Sequence, residues 1–209
     1  YIKDAIKNGS KIIVSNLSFE GFNKENILFI KSKNPRKALA EAASNFYIKK
    51  PKNIIAITGT NGKTSIANFF CQILSLSKKK AASVGTLGVL SKKVKLKTNN
   101  TTIDPLKIHY ILHKLKGSKI DNVIIEASSH GLKQHRLDGI NLKTALFTNL
   151  SRDHLDYHKT FKDYLNSKLI LFDKLLLNEG NIIFENGISQ EKELQKISKK
   201  KKLKIHKIG

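Results

Sequence analysis

Residues 53–70 read NIIAITGTNGKTSIANFF. An apolar run from Ile54 to Thr58 meets a turn holding Gly59 and Gly62, and the chain continues with Ile66, Phe69, Phe70, Ile73 and Leu74 on one helical stripe. Strand, glycine turn and helix in that order build a phosphate-binding loop. The glycines let backbone N–H groups turn toward phosphate oxygens, and the helix adds the positive end of its dipole. Lys63 is then placed to reach the β- and γ-phosphates, and Thr64 to offer its hydroxyl to Mg²⁺. The common pattern G-x-x-x-x-G-K-[ST] requires glycine at position 57, where this chain has Ile57, so the loop is a variant.

Outward from this loop the chain alternates. Ile12 to Ser15 and Ile27 to Ile30 read as short strands. Asn34-Pro35 opens a helix with Ala38, Leu39, Ala42, Ala43 and Phe46 on one face. Tyr47 to Asn53 reads as a linker. A strand is expected from Ala82 to Val89, and Asp104-Pro105 starts a helix with Ile108, Ile111, Leu112 and Leu115 buried. Asn122 to Ala127 and Thr144 to Leu150 are compact apolar strands of the kind covered on both faces. One long helix is expected over Phe161 to Leu177, with Phe161, Tyr164, Leu165, Leu169, Phe172 and Leu176 inside. Strands at Asn181 to Glu185 and Leu203 to Lys207 flank a lysine-rich helix. The alternation predicts an α/β domain with a mostly parallel sheet from residue 51 to 209, preceded over residues 1–50 by the end of a small α/β domain.

The formal charge is +23, from 39 basic and 16 acidic residues. That raises a basic, noncatalytic P-loop module that binds nucleic acid. The basic residues are nearly all lysine, with arginine only at Arg36, Arg136 and Arg152, and bidentate base contacts favour arginine. A chain rich in Lys, Asn and Ile is more simply the product of an AT-rich genome, so no specific nucleic-acid partner is expected. The single Cys71 permits no internal disulfide and fits a reducing cytoplasm. No apolar run approaches the roughly 18 to 20 residues of a membrane span. Methionine is absent and the chain opens at Tyr1-Ile2-Lys3, which predicts a piece of a longer chain.

Glu126 ends a buried strand, where open α/β sheets place their ligands, and a carboxylate there can complete a Mg²⁺ shell opposite Thr64. After it comes ASSHGLKQHR, residues 127–136, rich in hydroxyl, amide and imidazole groups. Ser129 and His130 are adjacent, an arrangement unsuited to nucleophile and base, so the segment reads as a substrate-contact loop. His154 and His158 are spaced by four, as are His109 and His113. The earlier pair reads as exposed helix surface, whereas His154 follows an apolar strand that should end near Glu126. A metal hydrolase built on Asp153, His154, Asp156 and His158 is another reading, but it leaves the phosphate loop without a purpose.

The segments TGTNGKTS, NNTT, EASSHGLKQHRLDG and FTNLSRDHLDYH, in this order and spacing, resemble the Mur ligase family. The Ser-Ser-His after the strand glutamate most resembles its UDP-N-acetylmuramoyl-tripeptide synthetase branch; the loop alone also suits sister Mur ligases and folylpolyglutamate synthetases. The resemblance implies an ATP-dependent ligase that adds a diamino acid, meso-diaminopimelate or L-lysine, to UDP-MurNAc-L-Ala-D-Glu through an acyl phosphate in peptidoglycan synthesis. It implies an ATP loop of Gly59, Thr60, Asn61, Gly62, Lys63, Thr64 and Ser65. Mg²⁺ would be bound by Thr64, Glu126 and His154. The UDP-MurNAc-dipeptide would be contacted by Asn100, Thr101, Thr102, Ser128, Gln134 and Arg136. Lys168 would be a carbamylated lysine and a further metal ligand. Lys63, Lys168, Glu126 and His154 would be catalytic, in a cytoplasmic monomer. The family's first residues and its third domain, which selects the amino acid, have no counterpart here, so this stretch alone is expected to be inactive.

Overall fold

The computed structural model describes residues 1–209 apart from Lys24 and Leu155. A first helix, α1 (Ile2–Lys7), leads into a three-stranded sheet of β1 (Ile12–Ser15), β2 (Gly21–Phe22) and β3 (Leu28–Lys31), in the order β1-β3-β2. Helix α2 (Pro35–Phe46) is capped by the Asn34 side chain, which accepts from Lys37 N–H, with proline at its first turn. It connects to the larger part of the chain through Ser44, whose hydroxyl donates to the Gly139 carbonyl at 2.8 Å.

The second sheet holds eight strands. It opens with β4 (Asn53–Thr58), β5 (Ala81–Gly85) and β6 (Gly88–Ser91), with β4 and β5 joined by α3 (Lys63–Leu76). The short β7 (Lys95–Leu96) and α4 (Pro105–Gly117) follow, then β8 (Asn122–Glu126), α5 (Ser129–Lys133) and β9 (Leu142–Phe147). Helix α6 (Phe161–Ile170) passes through a π-helical turn at Leu171–Leu175 into β10 (Leu176–Glu185), and α7 (Glu191–Lys201) and β11 (Lys204–Ile208) complete the chain. Strand order is β11-β10-β9-β4-β8-β5-β6-β7. From β11 to β5 every pairing is parallel, and β5-β6-β7 are antiparallel. This is the mostly parallel α/β sheet that the alternation predicts.

Strand alternation divides the core. Ile54 and Ala56 of β4 point into a large cluster with Ile108, Leu112, Phe147 and Phe172, while Ile57 points to the other face, against Ala67 of α3 and Ile124 of β8. Because β4 pairs with β8 on one side and β9 on the other, Thr58, Glu126 and Phe147 bring their C-terminal ends together. The loops that follow these three strands form the site.

Several expectations need correction. Residues 82–89 form a hairpin, since Gly85 pairs antiparallel with Gly88 across a two-residue turn and Gly88 takes φ +90°. The helix from Phe161 ends at Ile170; the wide turn that follows buries Leu171 and Phe172, and Leu176 already belongs to β10. Carbonyls of Asp173 and Leu176 accept from Lys201, which satisfies the groups that a continued helix would have bonded. Phe161, at the first position of α6, is exposed. So are Leu39, Phe46, Phe69 and Ile73, because α2 and α3 bury narrow faces through Ala40, Ala43 and Ala67. His109 is not on the surface: it is fully buried, with Nε2 3.0 Å from the Asp138 carbonyl. Burial lowers its pKa, so the ring is neutral near pH 7. No helix among the described residues is long and apolar enough to cross a membrane.

Candidate active site

The phosphate loop leaves β4 at Thr58 and enters α3 at Lys63, with Gly62 in left-handed conformation at φ +85°. Gly59 has no room for a side chain, since a Cβ would lie 1.8 Å from Thr148 Oγ1. The loop is pinned to the end of β9: Thr60 N–H donates to the Asn149 carbonyl, Asn61 N–H to Asn149 Oδ1, and Thr148 Oγ1 to the Asn61 carbonyl. The Thr60 hydroxyl also lies 3.1 Å from Tyr164 OH. Ser65 is exposed on the first turn of α3. The Lys63 ammonium donates to the carbonyls of Gly59 (2.9 Å) and Thr60 (2.7 Å), so it is held over the loop that it would serve. Burial lowers its pKa, opposed by the negative charges of Glu126 and Asp153.

Glu126 is 2% exposed at the end of β8. Thr64 Oγ1 donates to its Oε2 at 2.8 Å, Thr86 Oγ1 to the same oxygen at 3.0 Å, and Thr86 N–H to Oε1 at 3.2 Å. The space for this carboxylate is opened by Gly85, where a Cβ would sit 2.0 Å from Oε1. Thr86 and Gly85 escape a reading of the sequence; their signal, the glycine pair in GTLG, residues 85–88, falls inside the single strand expected from Ala82 to Val89. Hydroxyl and carboxylate oxygens meeting beside a phosphate loop fit Mg²⁺, which keeps most of its shell for water and phosphate oxygens.

Lys168 is 1% exposed on α6, far from the surface position that a lone helix lysine suggests. Its Nζ donates to the Gly59 carbonyl at 2.7 Å and stands 4.4 Å from the Tyr164 ring centroid. Burial, then the charge of nearby Lys63, lowers its pKa to about 7 against the pull of Asp153. His154 packs edge-on against His130 at 4.9 Å between ring centroids and lies 6.2 Å from Tyr164, with its Nε2 3.5 Å from Asp153 Oδ2. Among the described residues no group of three or more His, Cys, Asp and Glu side chains is placed to hold a metal ion. The hydrolase reading on Asp153, His154, Asp156 and His158 therefore has no preformed centre. Asp153 acts instead through its charge on Lys63 and Lys168.

The expected substrate residues gather beside Glu126. Thr102 Oγ1 donates to the Glu126 carbonyl at 2.8 Å, accepts from Ser128 N–H at 2.8 Å and lies 3.0 Å from Ser128 Oγ. Arg136 donates to the Thr102 carbonyl and twice to Gln134 Oε1. Thr101 Oγ1 lies 3.0 Å from Thr86 Oγ1, which joins it to the Glu126 cluster. Asn100 is exposed, and its carbonyl accepts from Thr98 Oγ1 at 3.4 Å.

The fold and this loop define a P-loop α/β domain with a lysine, a threonine and a carboxylate at the strand ends. The chain belongs to the Mur ligase family: residues 57–209 match the family model of the Mur ligase middle domain. It is similar to the UDP-N-acetylmuramoyl-L-alanyl-D-glutamate–2,6-diaminopimelate ligase of Rickettsia montanensis, at 43% identity over 91% of this chain and 40% of that protein. Similarity to the ligase of the same name from Rickettsia bellii runs over 100% of this chain and 44% of that protein, at 39% identity. A solved structure of a ligase of that name superposes with a TM-score of 0.83 at 29% identity, covering 98% of this chain and 41% of the other. The chain thus spans less than half the length of these relatives.

Proposed function

We propose that this chain is the nucleotide-binding core of an ATP-dependent ligase that joins diaminopimelate to UDP-MurNAc-L-Ala-D-Glu in peptidoglycan synthesis. The observation that carries the reading is the convergence of Lys63 and Lys168 on one carbonyl, that of Gly59, beside the Thr64–Glu126 pair. The names of the relatives favour diaminopimelate over L-lysine. Residues 1–50 then close a substrate domain and residues 51–209 form most of the ATP domain. The protein is read as a cytoplasmic monomer without a specific nucleic-acid partner.

The chemistry follows from what these side chains hold. Loop N–H groups and the α3 N-terminus receive the ATP phosphates, and Lys63 exchanges its carbonyl partners for phosphate oxygens. A carboxylate oxygen of the dipeptide attacks the γ-phosphorus, forming an acyl phosphate and releasing ADP. The amine of the diamino acid then attacks the acyl carbon, giving the amide and inorganic phosphate. Thr64, Glu126 and His154 are the residues that would hold Mg²⁺, which supplies Lewis-acid neutralisation of the transferring phosphoryl group. Lys168, as the uncharged amine, is the form that adds CO₂ with loss of a proton to give a carbamate. That converts a repelled cation into an anionic oxygen ligand. Thr102, Ser128, Gln134 and Arg136 orient the dipeptide, with Asn100 and Thr101 at its edge.

The test is ADP release by the full-length protein of which this chain is part. Beyond a first turnover it is expected to require the UDP-MurNAc-dipeptide and diaminopimelate together, with L-lysine a poor replacement. ADP release indifferent to both would overturn the proposal.

A further inference from the structure

His158 has no place in the chemistry above, yet its side chain is fully buried between α5 and α6. Its Nε2 lies 2.9 Å from Ser129 Oγ on α5, and its Nδ1 3.3 Å from Asp163 Oδ2 and 3.4 Å from Ser167 Oγ on α6. Asp163 Oδ2 also accepts from Lys133 at 2.6 Å, and that contact holds the carboxylate ionised. A carboxylate can only accept, so Nδ1 carries the proton, and in the neutral ring Nε2 accepts from the Ser129 hydroxyl. Ser167 spends its own hydrogen on the Asp163 carbonyl at 2.7 Å and offers a lone pair to the same Nδ1–H.

Serine, histidine and aspartate in this order have the connectivity of a hydrolytic triad. Ser129 is 1% exposed, however, so no substrate carbonyl reaches its oxygen, and the chain of bonds holds helices rather than attacks. What it holds is informative. Ser129 follows Ser128, the cap of α5, on the segment that leads to Gln134 and Arg136. Ser167 precedes Lys168, whose amine sits against the phosphate loop.

We infer that His158 is a positioning residue that ties the substrate-contact segment, through Ser129, to the helix that aims Lys168 at the phosphate loop. This rests on the proposed roles of that segment and of Lys168. The imidazole donates from one edge and accepts on the opposite edge, so a single rigid ring spans two separate helices.

The experiment uses the full-length protein with ¹⁵N-labelled histidine. Long-range ¹H–¹⁵N spectra are expected to show a neutral His158 ring protonated at Nδ1, with the Nε2 resonance displaced in Ser129→Ala. A proton on Nε2 overturns the coupling. In steady-state turnover, His158→Phe is expected to lower kcat about 100-fold, as for a misplacement of about 1 Å, with KM for ATP within about twofold. His158→Asn, which keeps the donor toward Asp163, should recover part of the loss. Unchanged kcat in His158→Phe, or a fall that tracks only a loss of folded protein by thermal melting, overturns the positioning role. A wild-type protein that turns over no dipeptide sinks the ligase reading, and the ring spectra still decide whether the helices are coupled as inferred.

Discussion

The Lys168 amine donates to the carbonyl of Gly59 at 2.7 Å, across 109 residues of chain. This bond fastens helix α6 to the phosphate loop and brings two lysines to one carbonyl, because Lys63 donates there as well. The consequence is electrostatic. Burial first, and then the charge of the neighbouring Lys63 ammonium, disfavour the charged form of Lys168.

Carbamate formation needs the unprotonated amine. With a pKa lowered to about 7, the neutral fraction of Lys168 grows as pH rises through about 7. Incorporation of ¹³CO₂, read by the carbamate carbon resonance of the full-length protein, is therefore expected to climb from pH 6 to 8. A signal already at its maximum at pH 6 would contradict this.

Lys168→Ala should be severely impaired, and acetate or another short carboxylate should restore part of the activity by standing in for the carbamate. Lys168→Arg should stay inactive, because guanidinium remains cationic in proteins. Activity of the arginine variant near the wild-type level would remove the carbamate from the mechanism.

Lys63→Ala removes the cation held over the loop by the Gly59 and Thr60 carbonyls. Loss of one such contact to the transferring phosphoryl group is expected to lower kcat roughly 10²- to 10³-fold or more while the fold persists. Turnover and circular dichroism measured side by side make the check, and an unchanged kcat rejects the ATP role of the loop.

Gly85→Ala tests the placement of Glu126. The added methyl would stand 2.0 Å from Oε1, so the carboxylate has to leave Thr64 and Thr86. A rate loss of about 10²-fold is expected, with a raised Mg²⁺ requirement, as for other displaced catalytic groups. Kinetics that match the wild type across a Mg²⁺ titration would show that Glu126 has no part in metal binding.

The charge of +23 gives a further expectation. If it reflects composition, the full-length protein binds DNA or RNA only non-specifically, with Kd on the order of 10⁻⁴ to 10⁻⁶ M near physiological salt. Sequence-selective submicromolar binding in a gel-shift or anisotropy assay would revive the nucleic-acid reading.

Much of this was legible in the order of residues. Asn34 and Asp104 cap their helices with side chains that accept from the N–H three residues on, a relationship local enough to read directly. The strand ending in Thr58 and the glycines after it announce a phosphate loop by themselves. Helix faces were less legible. Phe69 and Ile73 make a convincing apolar stripe and stand exposed, because which side of α3 meets the sheet depends on where β5 and β8 lie. The hairpin at Gly85 and Gly88 was hidden because two short antiparallel strands joined by two residues carry the same apolar pattern as one long strand.

The sequence by itself determined the alternation of strands and helices, the caps, the loop and the family. These depend on periodicity, turn chemistry and short motifs, all set within a few residues. Only the tertiary structure decided that Lys168 is buried with a lowered pKa, that Gly85 and Thr86 shape the Glu126 pocket, and that His158 bridges α5 to α6. Each of these is a property of groups distant in the chain, brought together by the β9-β4-β8 strand order and the helices that cross between them. Burial and charge proximity exist only once that order is made.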